Sequence, residues 1–270
     1  MAKLEPYKGD YYLWAYIPSL AASVIFLILF FTCTVFHTWK AWKTGAKFCI
    51  PFCLGGLFEI IGYGGRTDCT NNTAQLGPYI IQSTFILLGP VLYAASVYMF
   101  LARLIRSVNA EKYSLIRIDW MAKTFVTSDI ISFIVQGSGA GMMAMNGMAS
   151  TAKGIVIGGL MIQLIMFGFF IVTSIVFEKR IRQAPTADQA SWQKHLYPLY
   201  AVSVLIMVRS IFRVIEYATG QNGYLLSHEW PMYVFDAVLM WAAMLIWGYW
   251  HPGALRAEKS GVKLLSMRSY

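Results

Sequence analysis

The segment Val202–Ala218 reads VSVLIMVRSIFRVIEYA and sets Arg209, Arg213 and Glu216 into an otherwise apolar run. On a helix these three positions fall within about 60° of one another. Such a helix turns an aliphatic face outward and gathers its charges in one stripe. Each Arg at the centre of a bilayer costs roughly 2.5–3.5 kcal/mol, and each aliphatic residue returns only about 0.3–0.6. The eleven Leu, Ile, Val and Phe of Leu196–Ile215 therefore return roughly 3–7 kcal/mol. The charges cost as much or more. The stripe must meet counter-charges or water inside a helix bundle, and such a place is by default a functional site.

The rest of the chain agrees with a membrane reading. Apolar residues make up 57% of it and charged residues 13%, which is too apolar for a soluble domain of 270 residues. The formal charge of +9 sits in short segments between apolar runs. No nucleic-acid module or basic groove is visible, so nucleic acid is not an expected partner. Cys33, Cys49 and Cys53 lie in or beside apolar runs, and Cys69 is assigned to a loop. No His or further Cys completes a zinc site around Cys49 and Cys53, so neither a metal nor a cofactor is expected. The first apolar run begins at Ile17 and lacks a small-residue cleavage site, so it reads as a retained anchor.

Seven runs are long enough to cross a bilayer, which takes about 20 residues. They are Ile17–His37, Phe48–Gly65, Tyr79–Leu101, Met121–Ala144, Gly154–Phe177, Leu196–Ala218 and Pro231–Trp250. The expected fold is an all-α, polytopic seven-helix bundle. Residues 1–16 form an extracellular segment, 17–251 the transmembrane domain and 252–270 a basic cytoplasmic tail. Lys and Arg fix the orientation: the odd-numbered loops and the tail hold fifteen, and the opposite set holds four, Arg66 among them. This places the C-terminus in the cytoplasm and the N-terminus outside. Asn71-Asn72-Thr73 is a glycosylation sequon on the expected outer side.

Several polar residues lie inside these runs. Glu59 shares a helix face with Tyr63 and Arg66, and reads either as a partner of a buried Arg or as part of a substrate path. Asp129, Ser132 and Gln136 follow helical spacing before Gly137, Gly139 and Gly141. Gly154 and Gly158 in the next run repeat that small-residue packing device, with Gln163 further along. Pro90 is expected to kink the third span. His37 and His251 read as interfacial residues, and so does Glu229, which is expected to be solvated. Asp236 lies deeper. Arg209 and Arg213 are taken as the deep cations, facing Glu59, Asp129, Glu216 and Asp236 as available acids. Four acids against two bases leave a surplus, and desolvation favours the neutral form of a carboxyl. Such acids suit a proton-coupled carrier or a site for an amine.

These residues form an ordered pattern. Glu59-x-x-Gly62-Tyr63-x-x-Arg66 resembles the second-span motif of the fungal RTA-like, or lipid-translocating exporter, family. Similar to that family too are Tyr16-x-Pro18-Ser19, Pro90-x-x-x-Ala94-Ala95-x-x-Tyr98 and Asp129-x-x-Ser132-x-x-x-Gln136-x-x-Gly139-x-Gly141. So are Gly159-Leu160-x-x-Gln163, Arg209-Ser210-x-Phe212-Arg213-x-x-Glu216-Tyr217-x-x-Gly220, Glu229-Trp230-x-x-Tyr233-x-Phe235-Asp236 and His251-Pro252. The resemblance runs from Tyr16 to Pro252. It implies a fungal protein with seven transmembrane helices and an outside N-terminus. It also implies export or flip of sphingoid long-chain bases, resistance to toxic amphiphiles such as 7-aminocholesterol and, in one branch, porphyrin transport. The implied partners are membrane lipids or amphiphilic small molecules. The implied location is the plasma membrane, with the vacuolar and endoplasmic reticulum membranes as alternatives. Like the family, the chain carries no Walker sequence.

The expected function is therefore a carrier or facilitator of amphiphilic lipids or drugs. Its substrate or proton pathway would comprise Glu59, Asp129, Gln136, Arg209, Arg213, Glu216 and Asp236. The alternative is a seven-span receptor-like sensor or regulator of lipid asymmetry. The third span lacks an Asp-Arg-Tyr end and the seventh lacks Asn-Pro-x-x-Tyr, which argues against the G-protein-coupled class. An intramembrane enzyme finds no Ser–His, His–metal or paired-Asp constellation, so no catalytic residue is assigned.

Overall fold

The computed structural model describes residues 6, 14, 16–70, 72–108, 110–142, 149–183, 189–220 and 223–250. Among them lie seven long helices: α1 (Leu20–Thr44), α2 (Ile50–Cys69), α3 (Leu76–Ser107), α4 (Ile118–Met142), α5 (Ala149–Arg182), α6 (Gln189–Thr219) and α7 (Trp230–Tyr249). The described residues contain no strand. Each expected span matches one helix, and most helices extend past the apolar run at one or both ends. α6, for example, starts at Gln189, so the polar residues before Leu196 continue the same helix. The sequon residue Asn71, His251 and the basic tail fall outside the described residues.

Five of the seven, α1, α3, α5, α6 and α7, are long and apolar enough to cross a membrane by length and composition. α2 and α4 fall short of that measure, but at 20 and 25 residues they have spanning length and pack within the same bundle. Consecutive helices pack side by side from α1 to α7, α7 returns against α1, and α3 also touches α6. The most apolar window of α3 is 72% buried, against 22% for α1, so α3 is the central post and α1 a peripheral helix. The exposed faces are aliphatic and aromatic, as with Ile25, Ile28, Phe31 and Val35 on α1. Lipid would cover them.

Small residues set the closest approaches. A Cβ at Gly55 would meet the Gly89 carbonyl at 2.7 Å, so α2 and α3 touch backbone to backbone there. Between α4 and α5 this work falls to Gly139 and Gly159. A Cβ at Gly139 would lie 2.9 Å from the Ala152 carbonyl, and one at Gly159 would lie 2.9 Å from that of Ser132. Gly137, Gly154 and Gly158, expected to pack, meet nothing within 4 Å. The small-residue pattern was right for this helix pair but wrong by one residue on α5.

Pro90 lies inside α3, which continues through it as one helix. Proline has no N–H to give the carbonyl four residues earlier, here that of Ile86. That freed acceptor is used by the site.

Candidate functional site

α6 and α7 build the centre of the site. Asp236 lies in the one π-helical turn among the described residues, Tyr233–Ala237. Turns of this kind are frequent at functional sites. Asp236 is 1% exposed and has a separate guanidinium on each oxygen. Arg209 Nε donates to Oδ1 at 2.5 Å, and Arg213 Nη2 donates to Oδ2. Arg213 Nη1 also donates to Glu216 Oε2 at 2.8 Å, one turn further along α6. Arg209 Nη2 donates to the Ile86 carbonyl at 2.9 Å, the acceptor that Pro90 leaves open. Two cations and two carboxylates thus balance, and the balance ties α6 to α7 and α3.

Glu59 of α2 is a further acid in this core. It is 1% exposed, and its Oε1 has no hydrogen-bond partner. Among the described residues it forms no ion pair. Its carboxyl lies over bare backbone of α3, where a Cβ at Gly89 would stand 2.6 Å from Oε1. The expectation that Glu59 pairs with a buried Arg is therefore corrected: Asp236 takes both guanidiniums.

Asp129 and Gln136 lie elsewhere, among α3, α4 and α5. Asp129 is 2% exposed and accepts from the Tyr98 hydroxyl at 3.0 Å, while its Oδ1 has no partner. Gln136 donates to Gln163 Oε1 at 3.2 Å across the α4–α5 contact. The seven expected site residues thus divide into a cluster of Glu59, Arg209, Arg213, Glu216 and Asp236 and a separate pair, Asp129 and Gln136.

Sequence reasoning missed a third deep cation. Arg66, counted with the outer loops, is 0% exposed and pairs with Glu229 Oε1 at 2.6 Å. Its Nε donates to Tyr233 Oη at 3.0 Å and its Nη2 to Tyr16 Oη at 3.2 Å. The rings of Trp14, Tyr16 and Tyr233 surround the guanidinium at 5.4, 5.8 and 5.2 Å. Glu229, expected to be solvated, is instead held by Arg66 and by the Ser19 amide at 2.9 Å. The available signal was the i, i+7 alignment of Glu59 and Arg66, which puts both on the buried face of α2. Two other expectations change in the same way. Cys69 is the last residue of α2 and is buried, and His37 is buried with Nε2 2.9 Å from the Met244 carbonyl. Among the described residues no group of three or more His, Cys, Asp or Glu could hold a metal ion.

A closed ring of helices with an aliphatic outer face and ion pairs in its core is a polytopic integral membrane protein. The sequence model described as "RTA1 like protein" matches residues 52–259, and the chain belongs to that RTA1-like family. It is 33% identical to the protoporphyrin uptake protein 1 of Saccharomyces cerevisiae, over 86% of this chain and 89% of the relative. It is 33% identical to the protein RTA1 of that yeast, over 88% and 84%. It is 27% identical to the sphingoid long-chain base transporter RSB1 of S. cerevisiae, over 88% and 72%. Two of these relatives are thus named for transport, one as an uptake protein and one as a transporter. No solved structure matches the chain at a significant level.

Proposed function

We propose that the protein is a carrier or facilitator for amphiphilic lipids or drugs, with sphingoid-base-like amines as the favoured class. Glu59 carries this reading. An unpaired carboxylate in a membrane core is costly. Glu59 is buried with Oε1 unpartnered, while its neighbour Asp236 already has both cations. A proton or the ammonium of a substrate would complete it. Asp129, with one oxygen unpartnered, is the second candidate acid. Arg209, Arg213, Glu216 and Asp236 then form the fixed frame, and Gln136 holds α4 to α5 through Gln163. The names of the relatives support the substrate class, one being a sphingoid-base transporter and another a porphyrin uptake protein. The plasma membrane, with the N-terminus outside, is the proposed setting.

The test is reconstitution in liposomes with labelled sphingoid base, phospholipid and porphyrin offered in parallel without nucleotide. Wild type is expected to move the sphingoid base, and Glu59→Gln is expected to lose that movement while folding normally. If wild type moves none of the three, the receptor-like reading replaces the carrier.

A further inference from the structure

The cage around Arg66 has the make-up of a binding site for an organic cation. Aromatic faces and a carboxylate are the groups that recognise ammonium ions. Here Trp14, Tyr16 and Tyr233 supply the faces and Glu229 the carboxylate. Arg66 fills this site imperfectly. A guanidinium has five N–H donors, and Nη1 of Arg66 is buried with no partner. The acceptors it does use are three: Glu229 Oε1, Tyr233 Oη and Tyr16 Oη. A primary ammonium has three N–H donors, matching that number.

The position also fits. Glu59 and Arg66 are seven residues apart on one face of α2, about 10 Å along the axis. Tyr63 lies between them, 0% exposed, its hydroxyl without a partner. Its ring stacks on Tyr233 at 6.3 Å. Buried polar atoms therefore run from Glu59 through Tyr63 to Glu229. Trp14, Tyr16 and Ser19 close the end of this line. Trp14 packs edge-on against Tyr79 of α3 at 5.2 Å, and the Ser19 amide is bonded to Glu229.

We infer that the Trp14–Tyr16–Tyr233–Glu229 cage is a second substrate site, for a primary ammonium head group, and that Arg66 occupies it in the closed form. The incoming ammonium takes the place of Arg66 on Glu229, and Arg66, in the last turn of α2, turns to the water that opening admits, so Glu229 keeps a cation throughout. Release of the Ser19 amide from Glu229 then opens this end of the bundle. The inference rests on the amphiphile-carrier reading and names the place where that carrier meets its substrate at the Arg66 end.

Cys69, buried one turn beyond Arg66, is a native reporter of opening. The full chain with Cys33→Ala, Cys49→Ala and Cys53→Ala is reconstituted in liposomes, and its rate of reaction with a water-soluble thiol reagent is measured. Octylammonium is the probe, and tetramethylammonium, which has no N–H, is the control. Octylammonium is expected to accelerate Cys69 modification and tetramethylammonium to leave it unchanged. Glu229→Gln is expected to abolish the response. Labelled sphingoid base is followed in the same liposomes. If the base crosses while Cys69 does not respond to octylammonium, the cage is overturned and the carrier stands. If Cys69 responds but no base crosses, the cage is upheld as a sensor's ligand site and the carrier falls. An equal response to both cations, or an unaltered one in Glu229→Gln, also overturns the cage.

Discussion

Asp236 and Glu59 are both carboxyls at 1% exposure in the same core, yet removing their charges should have opposite consequences. Asp236 has Arg209 on one oxygen and Arg213 on the other. Asp236→Asn leaves two guanidiniums short of a partner. Breaking a buried pair in this way costs about 3–5 kcal/mol in soluble proteins. A clear loss of folded yield and of thermal stability in detergent is expected. Glu59→Gln removes a charge with no ion pair and keeps shape and hydrogen bonding, so its unfolding temperature should stay close to wild type. If Glu59→Gln proves the less stable variant, Glu59 belongs to the supporting frame and its proposed role is lost. From the excess of acids over deep cations alone, either carboxyl could have been the spare one. Pairing geometry singles out Glu59, because the freed Ile86 carbonyl and the π-helical turn aim Arg209 and Asp236 at each other.

The helix pair α4–α5 makes a sharper demand on sequence than its glycine pattern shows. Gly158 and Gly159 are adjacent, but only Gly159 faces α4, where a Cβ would meet Gln136 Cγ at 2.7 Å. Gly159→Ala should therefore cost roughly 1–3 kcal/mol through overpacking. It should also disturb the Gln136–Gln163 hydrogen bond. Gly158→Ala should be neutral or gain up to about 1 kcal/mol from helix propensity. Thermal unfolding of the two purified variants checks this, and equal effects would mean that α5 is rotated from the position described. Small residues spaced along α4 and α5 announce that two helices pack closely. Which member of a neighbouring pair points inward depends on helix rotation, a property of the assembled bundle.

The bundle as a unit is tied to the bilayer by orientation, and this rests on the distribution of fifteen Lys and Arg against three, once Arg66 is counted in the core. Cys69, the native thiol nearest the expected outer side, is buried. Exposed positions between helices serve better. In a chain otherwise free of cysteine, Gln75→Cys, between α2 and α3, should react with an impermeant thiol reagent in intact cells. Glu111→Cys, between α3 and α4, should react only after permeabilisation. The reverse pattern would invert the topology and place the Arg66 cage on the cytoplasmic side.

The helices themselves were legible from the linear chain. An apolar run of about 20 residues in a membrane can satisfy its backbone only by internal hydrogen bonding, so run length sets helix number and approximate bounds. Inward-facing charge was legible for a related reason, since exposing Arg209 or Arg213 to lipid costs more than the flanking aliphatics return. Partner choice was not legible. Arg66 stood near a loop in sequence, yet residues from two separate segments, Trp14 and Tyr16 before α1 and Glu229 and Tyr233 at the start of α7, converge on it. Distances between segments 50 to 167 residues apart arise only when the ring of helices closes. The same closure gave both guanidiniums to Asp236 and left Glu59 without one. Sequence thus decided that this chain buries charge in a membrane bundle. Tertiary packing decided which charges cancel and which carboxyl remains unpaired.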